Sequence, residues 1–198
     1  MTVPTQEIEG CRRAHRVLLD DLGELTDAQA RSPSLLPDWS VGHVLTHLAR
    51  NADSCTRRME GAVRGEIEDQ YPGGYAGRAA DIAAGSGRSA SALVSDVRES
   101  IYRLESAWLS APAEVWSRPG RDVSGAEQPV SNIPGRRWRE VEVHHVDLGL
   151  GFTVADLSEG LVALWLPRLL ARLANRADER SLLAWMIDRG PAPTLGPW

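Results

Sequence analysis

The stretch of sequence that decides the fold is rich in charge and histidine and reads Arg137-Trp138-Arg139-Glu140-Val141-Glu142-Val143-His144-His145-Val146-Asp147. Glu140 and His144 stand four residues apart, so their side chains share one face of an α-helix. Far upstream, the run Val41-Gly42-His43-Val44-Leu45-Thr46-His47-Leu48 carries His43 and His47 at the same spacing. Helical bundles build metal sites from inward-facing side chains on two such helices. The two runs therefore predict a metal site between two bundle helices.

The donor types fit a divalent cation. A catalytic zinc ion is usually held by three protein ligands with one position open, and two histidines with one glutamate form a known ligand set. The spacing alone leaves open whether His43 or His47 joins Glu140 and His144. It also leaves open an ordinary structural role, in which the histidines are buried core residues and Glu140 is a surface carboxylate that pairs with Arg136 or Arg137.

Composition limits the class of protein. The chain has 198 residues and a formal net charge of −5, which argues against a nucleic-acid partner. Its sequence has neither a run of apolar residues long enough to span a membrane nor a signal-peptide pattern, so we expect a cytoplasmic protein with no membrane partner. The two cysteines, Cys11 and Cys55, are expected to be buried and reduced.

Apolar periodicity predicts a mainly α-helical chain with four long helices. We expect these helices at about residues 5–22, 40–63 and 89–108 and from about residue 135 onward, with Ser40 as an N-cap and a short helix after Thr26. The proline-rich residues 111–134 are expected to form a crossover connection. The predicted organisation is a four-helix bundle over residues 1–150, followed by a reduced, mostly helical region over residues 151–198.

The two runs, extended to residues 36–53 and 137–149, resemble the mycothiol-dependent maleylpyruvate isomerase family, within the wider group of DinB-like four-helix bundles. The resemblance implies that the metal ligands are His47, Glu140 and His144, with His43 a neighbour one turn away. It also implies that Arg189, in the run Asp188-Arg189-Gly190, holds a substrate carboxylate as the catalytic arginine. In the family a small α/β domain separates the bundle from this arginine, whereas only 48 residues follow Leu150 here.

The activity that the resemblance implies needs zinc, or another divalent metal, and mycothiol as thiol cofactor or cosubstrate. Metal coordination deprotonates a thiol, and the thiolate would add to a cis double bond, allow rotation, and leave to give the trans isomer. A thiol S-transferase is the alternative, and a non-catalytic metal-binding DinB-like stress protein is a further one. The expected partners are a small electrophile and a low-molecular-weight thiol, with the chain a monomer or a homodimer.

Overall fold

The computed structural model describes residues 2–196, and over this range the chain is mainly α-helical. Its helices are Thr5–Asp21 (α1), Asp27–Arg31 (α2), Val41–Arg64 (α3), Gly74–Gly85 (α4), Ala90–Ser110 (α5), Ile133–Asp147 (α6), Glu159–Leu170 (α7) and Glu179–Met186 (α8). Two short antiparallel strands, Pro119–Arg121 (β1) and Glu127–Pro129 (β2), pair with Gly120 opposite Gln128. The predicted mainly α fold is confirmed.

Four long helices, α1, α3, α5 and α6, form the bundle. The central helix α3 packs chiefly against α5 and also contacts α6, while α1 packs against α6. The core between them is apolar and includes the fully buried side chains of Leu18, Leu45, Leu93 and Leu104. The strand pair β1–β2 lies in the connection between α5 and α6, where the sequence predicts a crossover. This arrangement sets α3 and α6 side by side.

The predicted helix starts agree with the capping contacts. Thr26 caps α2 and Ser40 caps α3, and each side chain accepts a hydrogen bond from the backbone N–H three residues further on. Such a cap stabilises a helix by about 1 kcal/mol because it satisfies one of the unpaired N–H groups of the first turn. The cap at Ser40 fixes where α3 begins and therefore which face His47 occupies.

Helix α1 approaches α6 closely at Gly10. A Cβ atom at this position would lie 2.3 Å from the indole ring of Trp138, so a larger residue would force the ring or the helix to move. The Trp138 ring is buried, and its Nε1 donates a 2.6 Å hydrogen bond to Glu142. This contact helps to fix the orientation of α6 about its own axis.

The chain divides into two compact units, one up to Leu157 and one from Ser158 onward. The second unit contains α7 and α8, capped by Ser158 and Asp178, with Pro167 inside α7. Helix α4 was not expected, because the sequence analysis placed no helix between about residues 63 and 89. None of the described helices is long and apolar enough to cross a membrane.

Candidate metal centre

Three side chains that the sequence predicts as ligands meet between α3 and α6. One donor atom from each of His47, Glu140 and His144 lies within 4.8 Å of the others. The Oε2 atom of Glu140 is 3.3 Å from Nε2 of His47 and 3.6 Å from Nε2 of His144. The two imidazole rings meet edge to face, with their centroids 4.7 Å apart. No other group of three His, Cys, Asp or Glu side chains within residues 2–196 satisfies the same distance.

Glu140 and His144 are each held by a second contact on the side away from the cluster. The second oxygen of Glu140, Oε1, accepts a 2.8 Å hydrogen bond from Nη2 of Arg139. Nδ1 of His144 lies 2.8 Å from a carboxylate oxygen of Asp147, one turn further along α6. Such a contact fixes the ring and keeps the proton on Nδ1, which leaves Nε2 free to bind a metal ion.

Burial and neighbouring charge set the protonation of the cluster. Burial lowers the pKa of His47 to about 4, although its hydrogen bond to Glu140 acts in the opposite direction. Burial alone would raise the pKa of Glu140, but the hydrogen bonds from His144 and His47 hold it well below its usual value. Burial alone would lower the pKa of His144, but hydrogen bonds to Asp147 and Glu140 raise it instead. Near neutral pH the cluster therefore offers a neutral imidazole at His47 and a carboxylate at Glu140, while His144 keeps its second ring proton to a higher pH than a free imidazole does.

This donor set fits a divalent metal ion. Two imidazole nitrogens and one carboxylate oxygen are suitable zinc ligands, and three protein ligands leave a coordination position for another molecule. The side chain of His47 is 3% exposed, whereas those of Glu140 and His144 are 21% and 18% exposed, so the cluster is sheltered but reachable. The geometry agrees with the predicted ligand set, whose metal-binding role remains a prediction.

The other two histidines of the sequence motifs have different partners. Nδ1 of His43 accepts a 3.2 Å hydrogen bond from the backbone N–H of Ser40 and so completes the cap of α3. Nε2 of His145 lies 3.1 Å from the Asp21 carboxylate, and its ring stacks on Phe152 with centroids 3.9 Å apart. Neither residue belongs to the three-residue cluster.

Arg137 is a buried residue that joins α3 to α6. The sequence analysis did not assign it to the site. Arg137 is 1% exposed, and its Nη1 donates to the carbonyl oxygen of Leu48 at 2.8 Å and to Oδ1 of Asn51 at 2.9 Å. Its Nε donates to Nε2 of His15 at 3.2 Å. Because Leu48 follows His47 directly and Glu140 lies one turn after Arg137, these bonds fix the two ligand-bearing helices relative to each other.

A second arginine, Arg78 on the unexpected helix α4, contacts the cluster directly. Its Nη2 lies 3.2 Å from Nδ1 of His47, and its guanidinium carbon is 5.8 Å from the ring centroid of Trp39. Trp39 also meets the His47 ring edge-on, with centroids 5.9 Å apart. The contact of Arg78 with the cluster could not be predicted from the sequence, because residues 74–85 have no apolar stripe that predicts a helix.

The predicted carboxylate-binding residue, Arg189, belongs to the second compact unit. It follows α8 in an exposed turn, and its Nη1 donates hydrogen bonds to the backbone oxygens of Ile187 and Asp188 at 3.4 and 3.0 Å. Asp188 has a positive φ of 54°, which reverses the chain at this point. The role of Arg189 toward a substrate stays a prediction.

Comparison with known proteins finds one matching family and similar solved structures. The profile of the family described as mycothiol maleylpyruvate isomerase N-terminal domain matches residues 11–149. The crystal structure of a mycothiol-dependent maleylpyruvate isomerase is similar, with a TM-score of 0.81 and 24% sequence identity over 98% of this chain and 81% of that chain. A variant of it with one histidine replaced by alanine gives a TM-score of 0.80 at the same identity and coverage. At this identity the likeness shows a shared fold, and a comparison with curated proteins gives no match.

Proposed function

Because the chain belongs to the mycothiol maleylpyruvate isomerase family, whose N-terminal domain profile matches residues 11–149, we propose that it is a zinc-dependent and mycothiol-dependent enzyme. The proposed reaction is cis–trans isomerisation of a maleylpyruvate-type substrate through reversible addition of the thiol to its double bond. The observation that carries the proposal is the convergence of His47, Glu140 and His144 within 4.8 Å.

The residues of the cluster have defined tasks in this proposal. A zinc ion bound there would act as a Lewis acid that stabilises the thiolate of an external thiol near neutral pH. The ring of His47 is neutral near pH 7, since burial lowers its pKa to about 4. Asp147 orients His144 through the 2.8 Å contact at Nδ1, and Arg139 orients Glu140 through its second oxygen. These contacts fix the orientation of two of the three donor groups, and a set of three protein ligands would leave one coordination position for the thiol.

The cysteines of the chain support an external nucleophile. Cys11 is fully buried and Cys55 is 3% exposed, so neither sulfur is accessible to a substrate. Burial raises the pKa of the Cys11 thiol well above its usual value, which keeps it protonated and unreactive. A reaction that needs a thiolate must therefore take the thiol from solution, as a mycothiol-dependent enzyme does.

The test combines metal analysis with a product assay. Protein purified without chelator should contain one zinc ion per chain, and zinc-loaded protein with mycothiol should convert maleylpyruvate into its trans isomer. Omitting the thiol or removing zinc with a chelator should abolish the conversion. A stable thiol conjugate in place of the isomer would indicate the S-transferase, and bound zinc without turnover of thiol and electrophile would indicate a non-catalytic metal-binding bundle.

A further inference from the structure

Arg78 is a cation at the edge of the predicted metal-binding cluster, and it has no carboxylate partner among the residues that the structure describes. Its nearest polar contact is Nδ1 of His47, at 3.2 Å from Nη2. Its guanidinium carbon lies 5.8 Å from the ring centroid of Trp39 and 5.9 Å from that of Tyr71. Within residues 2–196, no Asp or Glu side chain forms an ion pair with Arg78. By contrast, Arg139, the other arginine at the cluster, pairs with Glu140.

The backbone before Arg78 is built tightly enough to fix its position. Gly73 and Gly74 have positive φ angles of 73° and 62°, and they form the turn that starts α4. A Cβ atom at Gly77 would lie 2.0 Å from the carbonyl oxygen of Pro72, so only glycine lets the first turn of α4 close against the preceding loop. Arg78 follows Gly77 directly, and its starting point beside Tyr71 and His47 is therefore well defined.

The contact between Arg78 and His47 is incompatible with a metal ion on His47. A guanidinium only donates hydrogen bonds, so Nδ1 of His47 must be the acceptor, and the proton of the neutral ring then sits on Nε2. Nε2 is the atom that faces Glu140. A metal ion at Nε2 needs the lone pair of that nitrogen, which moves the ring proton to Nδ1 and removes the acceptor. Zinc bound at Nε2 of His47 would therefore free the donors of Arg78 from this contact.

We propose that Arg78 binds the carboxylate group attached to the double bond of the electrophile. The inference rests on the proposed function, in which the reacting double bond lies beside the metal-bound thiol. A carboxylate directly on that bond must lie within a few bond lengths of the metal, and Arg78 is the unpaired cation found there. The planar guanidinium matches a carboxylate through two parallel hydrogen bonds. A maleylpyruvate-type substrate has a second carboxylate at its other end, which leaves the predicted role of Arg189 intact.

Binding of maleate tests this proposal without catalysis. Maleate carries a carboxylate directly on a cis double bond, and in the absence of thiol it only binds. We would titrate maleate by calorimetry into zinc-loaded wild type, Arg78→Ala, Arg78→Lys and Arg64→Ala. Arg64 is a matched control, since it lies on α3 roughly 25 Å along the helix from His47 and pairs with Glu66 and Glu68.

We expect Arg78→Ala to weaken maleate binding about ten- to hundredfold, which corresponds to the loss of a charge-assisted bidentate contact. Arg78→Lys should retain part of the affinity, and Arg64→Ala should bind as wild type does. Equal maleate affinity in wild type and Arg78→Ala would overturn the proposal, as would the absence of saturable maleate binding to the zinc-loaded wild type.

Zinc affinity separates ligand binding from a structural role. Arg78 repels a cation and holds His47 in the tautomer that cannot bind one, so Arg78→Ala should bind zinc as tightly as wild type or several-fold more tightly. Weaker zinc binding in Arg78→Ala would mean that Arg78 only supports the structure, and would overturn the proposal. If wild type binds maleate through Arg78 but isomerises nothing with mycothiol, the proposed function fails while the role of Arg78 as a carboxylate-binding residue stands.

Discussion

Zinc binding should release one proton at pH values below the raised pKa of His144, and this proton should come from His144. His47 needs to release none, because burial lowers its pKa to about 4. Glu140 is also ionised already, since hydrogen bonds from the two histidines hold its pKa well below the usual value. The pKa of His144 is raised above 6.5 by its hydrogen bonds to Asp147 and Glu140. A metal ion must displace the His144 proton, and its affinity therefore falls as pH drops below that raised pKa.

The pH dependence of the zinc affinity follows from the number of protons that the metal ion displaces. One displaced proton weakens the apparent zinc affinity tenfold for each pH unit below the pKa of His144, so two units cost roughly a hundredfold. Above that pKa the affinity should be flat. Only near pH 4 should His47 add a second proton and steepen the slope, because its pKa is about 4.

The substitution Asp147→Asn should change the dependence of zinc affinity on pH in two opposite ways. The amide lacks the charge that helps to raise the pKa of His144, so the acid loss of affinity should begin at a lower pH. Loss of the carboxylate behind a metal-binding histidine should also weaken zinc binding at high pH by roughly ten- to hundredfold. The wild-type and variant curves should therefore converge as the pH falls.

Asp21→Asn is the matched control for this experiment. Asp21 contacts Nε2 of His145 at 3.1 Å. The same Asp-to-Asn change therefore removes the carboxylate partner of His145, which is next to His144 in the chain but lies outside the cluster. Zinc affinities measured by competition with a chromophoric chelator, from pH 5 to pH 8.5, give the slopes. An affinity that does not vary with pH, a slope of two protons near neutrality, or an equal shift in Asp21→Asn would refute the assignment of the released proton to His144.

Three further predictions follow from named residues. His144→Ala should lower the zinc content of purified protein several-fold, whereas His43→Ala should leave it nearly unchanged, as metal analysis would show; full occupancy in His144→Ala would contradict the ligand assignment. Burial lowers the pKa of His15 to about 4, below its value of about 6.5 in the unfolded chain. The unfolded state therefore takes up the proton first, and up to about 3 kcal/mol of stability should be lost as the pH falls from 6.5 to 4. His15→Gln should reduce that loss in denaturant titrations, and an unchanged pH slope would exclude His15 as its source. Arg189→Lys should lower kcat/KM far more for a carboxylated than for an uncharged electrophile, and equal losses would assign Arg189 a structural role.

The bundle could be predicted because its helices carry strong local signals. Apolar residues recur at helical spacing along α1, α3 and α5, and Ser40 marks the start of α3 with a cap. The ligand residues on α6 follow from the spacing of four between Glu140 and His144. The choice of His47 over His43 needed the resemblance to a family, since both have the spacing. The structure agrees with that prediction, because the ring of His43 takes part in the cap of its own helix.

Helix α4 could not be predicted from the same signals. It contains glycine at residues 74, 77 and 85, has several alanines, and has Ile82 as its one buried residue within the described chain. A helix that buries so little shows no apolar stripe, and it depends on close backbone contacts that the sequence does not reveal. The position of Arg78 depends on this helix. Its contact with His47 therefore could not be predicted from the sequence either.

The buried role of Arg137 could have been predicted from its place on the apolar stripe of α6. The sequence analysis considered Arg136 or Arg137 as a surface partner of Glu140, whereas in the structure Arg139 pairs with Glu140. Arg137, Val141 and His145 are spaced by four, and all three are buried. An arginine on the apolar stripe of a helix indicates a buried hydrogen-bonding role, because a buried guanidinium must satisfy its donors.

Two adjacent stripes of residues on helix α6 have different roles. The buried stripe that contains Arg137 fixes the helix to α3, and the half-buried stripe of Glu140, His144 and Asp147 presents donor atoms toward His47. Consecutive residues of a helix are about 100° apart, so a shift of register by one residue would turn both stripes away from their partners at once. The hydrogen bond from Arg137 to the carbonyl of Leu48 opposes such a shift. Because that carbonyl belongs to the residue after His47, the bond that anchors α6 also sets the distance between the ligands on the two helices.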